Sequence, residues 1–158
     1  VCTVVWEGGA VRLLPIPISS NQETLMPYLN VKVSIPESLE SAEKIVAVLM
    51  KHTSEVLGKK PDVTSIEIDF IAPNKWFVGG VRVSDQKAVT FYLDIKVTDG
   101  TNTKAEKAKY IKNVFADFES IYGPITPASY IVIHDMRADS WGFQGRTQEY
   151  RFIQSQPL

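Results

Sequence analysis

The chain has 158 residues, 17 basic against 18 acidic for a formal net charge of −1, and 44% of them are apolar. That length suits one domain with a real core, and the balanced charge argues against a basic nucleic-acid surface and against an acidic disordered tail. A single cysteine, Cys2, excludes an internal disulfide and a zinc cluster, and no apolar run of about 18 residues is there to span a membrane. The expectation is a soluble cytoplasmic domain with neither nucleic-acid nor membrane partners.

Residues 1–25 read as an N-terminal extension. The opening VCTVVWEGGAVRLLPIPISS carries Glu7 and Arg12 and lacks the basic start and unbroken apolar stretch of a signal peptide. CTVVW is a candidate strand, and LLPIPIS reads as extended because each proline restricts its predecessor. Met26 and Pro27 then lead directly into an alternating strand from Tyr28 to Ser34. Leu29, Val31 and Val33 point one way; Tyr28, Asn30 and Lys32 point the other. Ser38 caps a helix running to about Leu57, with Ala42, Ile45, Val46, Leu49, Thr53, Val56 and Leu57 on its apolar stripe. His52 sits beside that stripe with no evident partner. Gly58 stops the helix in the left-handed conformation that glycine adopts cheaply. A second strand carries Ile66 and Ile68. A third, AVTFYLDIKV over 88–97, alternates throughout. Thr103 and Glu106 form a capping box for a second helix with Ala108, Ile111, Phe115, Phe118 and Tyr122 in line, ended by Gly123 and Pro124. A fourth strand follows in YIVIHDM.

The chain is written twice. GKKPDVTSIEIDFIAPNKW (58–76) and GPITPASYIVIHDMRADSW (123–141) open on glycine, close on tryptophan, and place Ile66 and Ile68 over Ile131 and Ile133. FVGG follows one tryptophan and GFQG the other. Each half is strand, helix, strand, and such a crossover makes its two strands parallel. The predicted fold is α+β: two β-α-β units, about 27–81 and 88–145, forming a four-stranded mixed sheet with two helices on one face, within a single domain over 26–158. The opposite face carries Tyr28, Asn30, Lys32, Glu67, Asp69, Tyr92, Asp94, Lys96, Tyr130, Val132 and His134. This mixture of charges and aromatics suits a wet contact between subunits; the plain alternative is a solvated face.

MPYLNVKV, GKKPDVTSIEI, WFVGG and ASYIVIHDMRADSWGFQGRTQ, in this order and on this duplicated plan, resemble the tautomerase superfamily over residues 26 to about 150. That superfamily includes 4-oxalocrotonate tautomerase, macrophage migration inhibitory factor and the cis-3-chloroacrylic acid dehalogenases. The half-lengths are similar to the migration-inhibitory-factor type, in which a chain carries two units and three chains form a ring. The resemblance implies a homotrimer, no cofactor or metal, and a catalytic amino-terminal proline, here Pro27. It also implies substrate-binding roles for Lys59, after the helix-ending glycine; for Lys96, near the end of the third strand; for Tyr130; and for Trp141 and Phe143 as an aromatic pocket wall.

Each candidate has a structural reading as well. Proline is common at the first residue of a strand. Lysine is favoured at a helix carboxyl end. Lys96, Arg137 and Arg146 fit solvated surface, although an arginine fork also suits a carboxylate, and the aromatics fit an interface or core. His134 and Asp135 are neighbours on a strand, so they face opposite sides and form no dyad. The arginines of the 4-oxalocrotonate tautomerase type are missing: Glu37, Glu67 and Ile131 stand in those places. The third strand ends in KVTDGTN without the arginine pair of the dehalogenases.

The chemistry of Pro27 divides on one bond. Released from Met26 by a start at that methionine or by later processing, its secondary amine moves a proton between carbon and oxygen of a small keto or enol carboxylic acid, a tautomerase reaction. Left in peptide linkage, its nitrogen has no basic lone pair, and the chain is a non-catalytic trimeric binding protein of the same fold. A third reading uses the protonated amine as the acid of a decarboxylase or hydratase. No phosphate loop, metal-ligand cluster or nucleophile elbow is present in the sequence.

Overall fold

A computed structural model describes residues 26–156; the strand and extended segment expected before Met26 lie outside them. The first half consists of β1 (Tyr28–Val33), α1 (Leu39–Glu55), β2 (Ser65–Phe70) and a hairpin of β3 (Phe77–Val78) and β4 (Val81–Arg82). The second repeats the order with β5 (Phe91–Thr98), α2 (Lys104–Tyr122), β6 (Tyr130–Met136) and a hairpin of β7 (Gly142–Phe143) and β8 (Arg146–Thr147). A short helix, α3 (Gln148–Ser155), follows.

Local chemistry sets the helix ends. The Ser38 hydroxyl accepts the Ser41 N–H at 3.1 Å and opens α1. At α2, Thr103 Oγ1 accepts the Glu106 N–H at 3.2 Å while the Glu106 carboxylate accepts the Thr103 N–H at 2.7 Å, the reciprocal pair expected from the sequence. Those bonds hold the Glu106 carboxyl below its ordinary pKa, chiefly through the Thr103 backbone N–H. Gly58 and Gly123, at φ of +64° and +82°, turn the chain away after the two helices.

The sheet order is β2-β1-β5-β6, with β1 parallel to β2, β5 parallel to β6, and the two central strands antiparallel. This is the predicted mixed four-stranded sheet. Leu29 pairs with Ile66 in one half and Leu93 with Ile131 in the other. The correspondence continues past the hairpins: Val83 N–H donates to the Trp76 carbonyl at 2.8 Å, and Gln148 N–H to the Trp141 carbonyl at 2.9 Å.

One face of the sheet is the core. Leu29, Val31 and Val33 of β1 and Phe91, Leu93, Ile95 and Val97 of β5 pack with Ile45, Val48 and Leu49 of α1 and with Tyr110, Val114 and Phe118 of α2. Phe91 and Phe118 meet edge to face at 4.8 Å between ring centres. Most of each expected stripe is wholly or partly buried, including Ile45, Leu49, Thr53, Leu57 and Phe118, but the buried face is wider and shifted at its edge. Val46, Ala108 and Ile111 are exposed, and Val48, His52, Tyr110 and Val114 take the buried positions. The two helices lie side by side, so each buries a flank against its neighbour as well as its underside. His52 belongs to that flank. It is 4% exposed and, contrary to expectation, has a partner on α2: Nε2 lies 2.8 Å from Asp117 Oδ2. No helix among the described residues is long and apolar enough to cross a membrane.

Candidate active site

The antiparallel register of β1 and β5 ends at Tyr28 opposite Lys96. Pro27, the next residue, has no N–H to offer, so the ladder stops there. Its carbonyl still accepts the Ser65 N–H at 3.3 Å. The start of β1 and β2 and the finish of β5 and β6 therefore share one end of the sheet. Three connections converge on that end. The α1–β2 turn brings Lys59, whose Nζ donates to Thr101 Oγ1 at 2.8 Å. The β5–α2 turn brings Thr101 and Asn102, and Asn102 Nδ2 donates to the Leu57 carbonyl at 3.0 Å. The segment after β6 brings Trp141, whose Nε1 donates to the Met26 carbonyl at 3.3 Å.

Pro27 is buried, Met26 is 6% exposed and Lys59 only 2%. A lysine so deeply withdrawn from water needs polar company, and the Thr101 hydroxyl supplies part of it. Lys96 stands over the Tyr28 ring, 5.2 Å from its centre. The Tyr28 hydroxyl donates to Glu67, which raises the pKa of that phenol. Pro27, Lys59, Lys96 and Trp141 thus occupy one end of the sheet.

Tyr130 is elsewhere. It begins β6 opposite Tyr92, which faces Lys32 on β1. That is five residues along from Pro27, roughly 16 Å at strand spacing, and Tyr130 is 58% exposed. Phe143 lies on β7 beneath the Arg151 guanidinium, 4.9 Å from the ring centre. With Arg146, Asp139 and Ser140 it lines a cleft of about 330 Å³ in which Pro27, Lys59 and Lys96 take no part. Arg137 is engaged by Asp139 through bonds of 3.1 and 2.7 Å, which hold the Asp139 carboxyl below its usual range. Arg146 is set over the Tyr150 ring at 5.3 Å. His134 and Asp135 do face opposite ways. His134 Nε2 lies 2.6 Å from Asp94 Oδ1, which also accepts the Tyr92 hydroxyl at 3.2 Å, while Asp135 Oδ1 accepts from Lys107 Nζ at 2.7 Å.

Sequence reasoning passed over Thr98. It is 7% exposed, yet its hydroxyl has no hydrogen-bond partner. The sequence carries no signal for it, because the apolar–polar alternation of β5 continues through Thr98; only the structure shows Val97 and Thr98 both buried at the strand's end.

No family model and no curated protein sequence matches the chain. Its structure does match solved proteins. A wild-type fused 4-OT, described as an asymmetric trimer, aligns with a TM-score of 0.68 at 16% identity, over 78% of this chain and 98% of its own. A macrophage migration inhibitory factor homologue from Prochlorococcus marinus aligns at 0.62 and 22% identity over 76% and 97%. Pt0534, solved after inactivation by 2-oxo-3-pentynoate, aligns at 0.69 and 10% identity over 78% and 98%. At these identities the likeness is one of fold: the chain shares the architecture of the fused 4-OT, the migration inhibitory factor homologue and Pt0534.

Proposed function

We propose that the protein is a cofactor-independent tautomerase acting on a small keto or enol carboxylic acid, with Pro27 as its acid–base group. The observation that carries this reading is the setting of Pro27, buried at the end of a central strand, at the same end of the sheet as Lys59, Lys96 and Trp141. A free α-amine titrates near pH 8. Burial and nearby cations both disfavour its protonated form and lower that value. The neutral secondary amine takes a proton from the carbon next to a carbonyl, leaving an enolate. The same proton returned to oxygen gives the enol, and the reverse sequence regenerates the ketone. Lys59 and Lys96 attract the substrate carboxylate, Trp141 walls the pocket, and Tyr130 reaches it from a neighbouring copy. The assembly is a homotrimer, held through the polar and aromatic sheet face and located in the cytoplasm. The inactivation of Pt0534 by a 2-oxo acid and the trimeric description of fused 4-OT support the choice.

One observation favours a second reading. With the bond to Met26 intact, the Pro27 nitrogen is an amide, and the Met26 carbonyl is already held by Trp141. In that form the chain is a binding protein of the same fold. Mass spectrometry of the protein from its own cells identifies the mature first residue. Phenylpyruvate tautomerisation is then measured on the full chain and on a chain beginning at Pro27. Activity confined to the second, with kcat/KM rising through a pKa below 8, is the expected result. A base would give that rising limb, whereas an acid in a decarboxylase or hydratase gives a falling one. Inactivity of both forms removes the tautomerase reading.

A further inference from the structure

The two halves are related so that residues of β1 correspond to residues 64 later on β5: Leu29, paired with Ile66, answers to Leu93, paired with Ile131. By this relation Ser34 corresponds to Thr98, and Met26 to Thr90. At the Ser34 end of the central pair, the Ser34 hydroxyl accepts the Thr90 N–H at 2.9 Å and the Ser34 N–H donates to the Thr90 carbonyl at 3.0 Å. At the opposite end, continuing the β1–β5 register places Thr98 across from Met26, but there the hydroxyl is buried and bonded to nothing. A buried hydroxyl without a partner is destabilising, and Ser34 at the symmetric position has its hydroxyl satisfied.

We infer that Thr98 is a substrate-positioning residue. Together with Trp141 Nε1 it holds an oxygen of the α-keto acid in the place now taken by Met26. The inference rests on the reading of Pro27 as the reacting amine. Cutting the bond between Met26 and Pro27 removes a buried side chain and a carbonyl together. Trp141 Nε1 then loses its acceptor, and two donors, one indole N–H and one hydroxyl, face the emptied space beside the new amine. The Met26 carbonyl stands in for the substrate oxygen, and the Met26 side chain for its carbon skeleton. Residue 26 is therefore both the block on the site and a measure of what fits there.

The chain beginning at Pro27 keeps every strand and helix described, from β1 to α3. The test follows the indole N–H resonance of Trp141 during titration with phenylpyruvate. In the chain beginning at Pro27 the resonance shifts and saturates; in the full chain it does not move. Thr98→Val weakens binding about tenfold, the loss of one good hydrogen bond, and Thr98→Ser restores it. The full-length Thr98→Val variant melts no lower than the parent, because the hydroxyl it loses has no partner. The inference is overturned if Thr98→Val binds as tightly as the parent, or if the full chain binds as well as the chain beginning at Pro27. The two failures are separable. Turnover unaffected by Thr98→Val sinks this inference and leaves the tautomerase reading, whereas Thr98-dependent binding without turnover sinks the tautomerase reading and leaves the subsite.

Discussion

His52 and Asp117 show how much depends on a single contact between the helices. Asp117 Oδ2 lies 2.8 Å from His52 Nε2, and Lys51 approaches the same oxygen at 3.5 Å. His52 Nδ1 has no partner. Asp117→Ala would leave a buried imidazole with neither nitrogen bonded, a loss of about 2 kcal/mol measurable by urea unfolding. The His52 bond, more than the charge of Lys51, holds the Asp117 carboxyl below its ordinary 3.8. A depressed carboxylate contributes stability that is complete above its unfolded pKa and disappears as pH falls through the folded one. Melting temperature should therefore drop more steeply in the parent than in Asp117→Ala as pH is lowered below about 4. The candidate site was legible in the sequence where one segment carried it. Pro27 before its strand, Lys59 after its glycine and Trp141 closing its repeat all arrive at one end of the sheet. Thr98 was hidden because its interest lies in a missing hydrogen bond, which only packing reveals. The partnership of His134 with Asp94 spans two strands and needed the register.

Helix boundaries were plain because capping is local: Ser38, Thr103 and Glu106 act within one turn, and so do Gly58 and Gly123 just beyond the ends. Which side each helix buries was less plain. A simple apolar stripe assumes that the sheet is the only neighbour, yet α1 and α2 also face each other. That contact turned Val46 and Ile111 outward and drew Val48 and Tyr110 in. Tyr110 enters with its hydroxyl 3.3 Å from Thr53 Oγ1, and burial raises its pKa. Thr103→Ala breaks both bonds made by that hydroxyl at the α2 terminus. The expected loss is about 1 kcal/mol, read as a lower melting temperature with phenylpyruvate turnover unchanged, because the cap does not touch the proposed substrate. Phe118→Ala, deep against Phe91, should lose about 3–5 kcal/mol in the same measurement.

For the molecule as a whole, the two parallel pairs followed from the duplication, and the structure shows them joined antiparallel through β1 and β5. The face away from the helices keeps its mixed character in the structure: Glu67 holds Tyr28, Lys96 covers the same ring, and Asp94 gathers Tyr92 and His134. The proposed trimer predicts a sedimenting species of three times the 17.7 kDa chain. Tyr130→Ala should impair turnover if that residue serves a neighbour's pocket, although it lies far from Pro27 in its own chain. A monomer by sedimentation would remove the neighbour-borne role of Tyr130.

The central strands meet through six residue pairs, from Tyr28 with Lys96 to Val33 with Phe91. Between the end of the first half and the start of the second, Lys87 is exposed and belongs to no strand or helix. The covalent link there is a tether that raises the effective concentration of one half around the other. Trypsin cutting after Lys87 should give two fragments on a denaturing gel that still migrate together in native gel filtration, and fragments mixed after separation should find each other again.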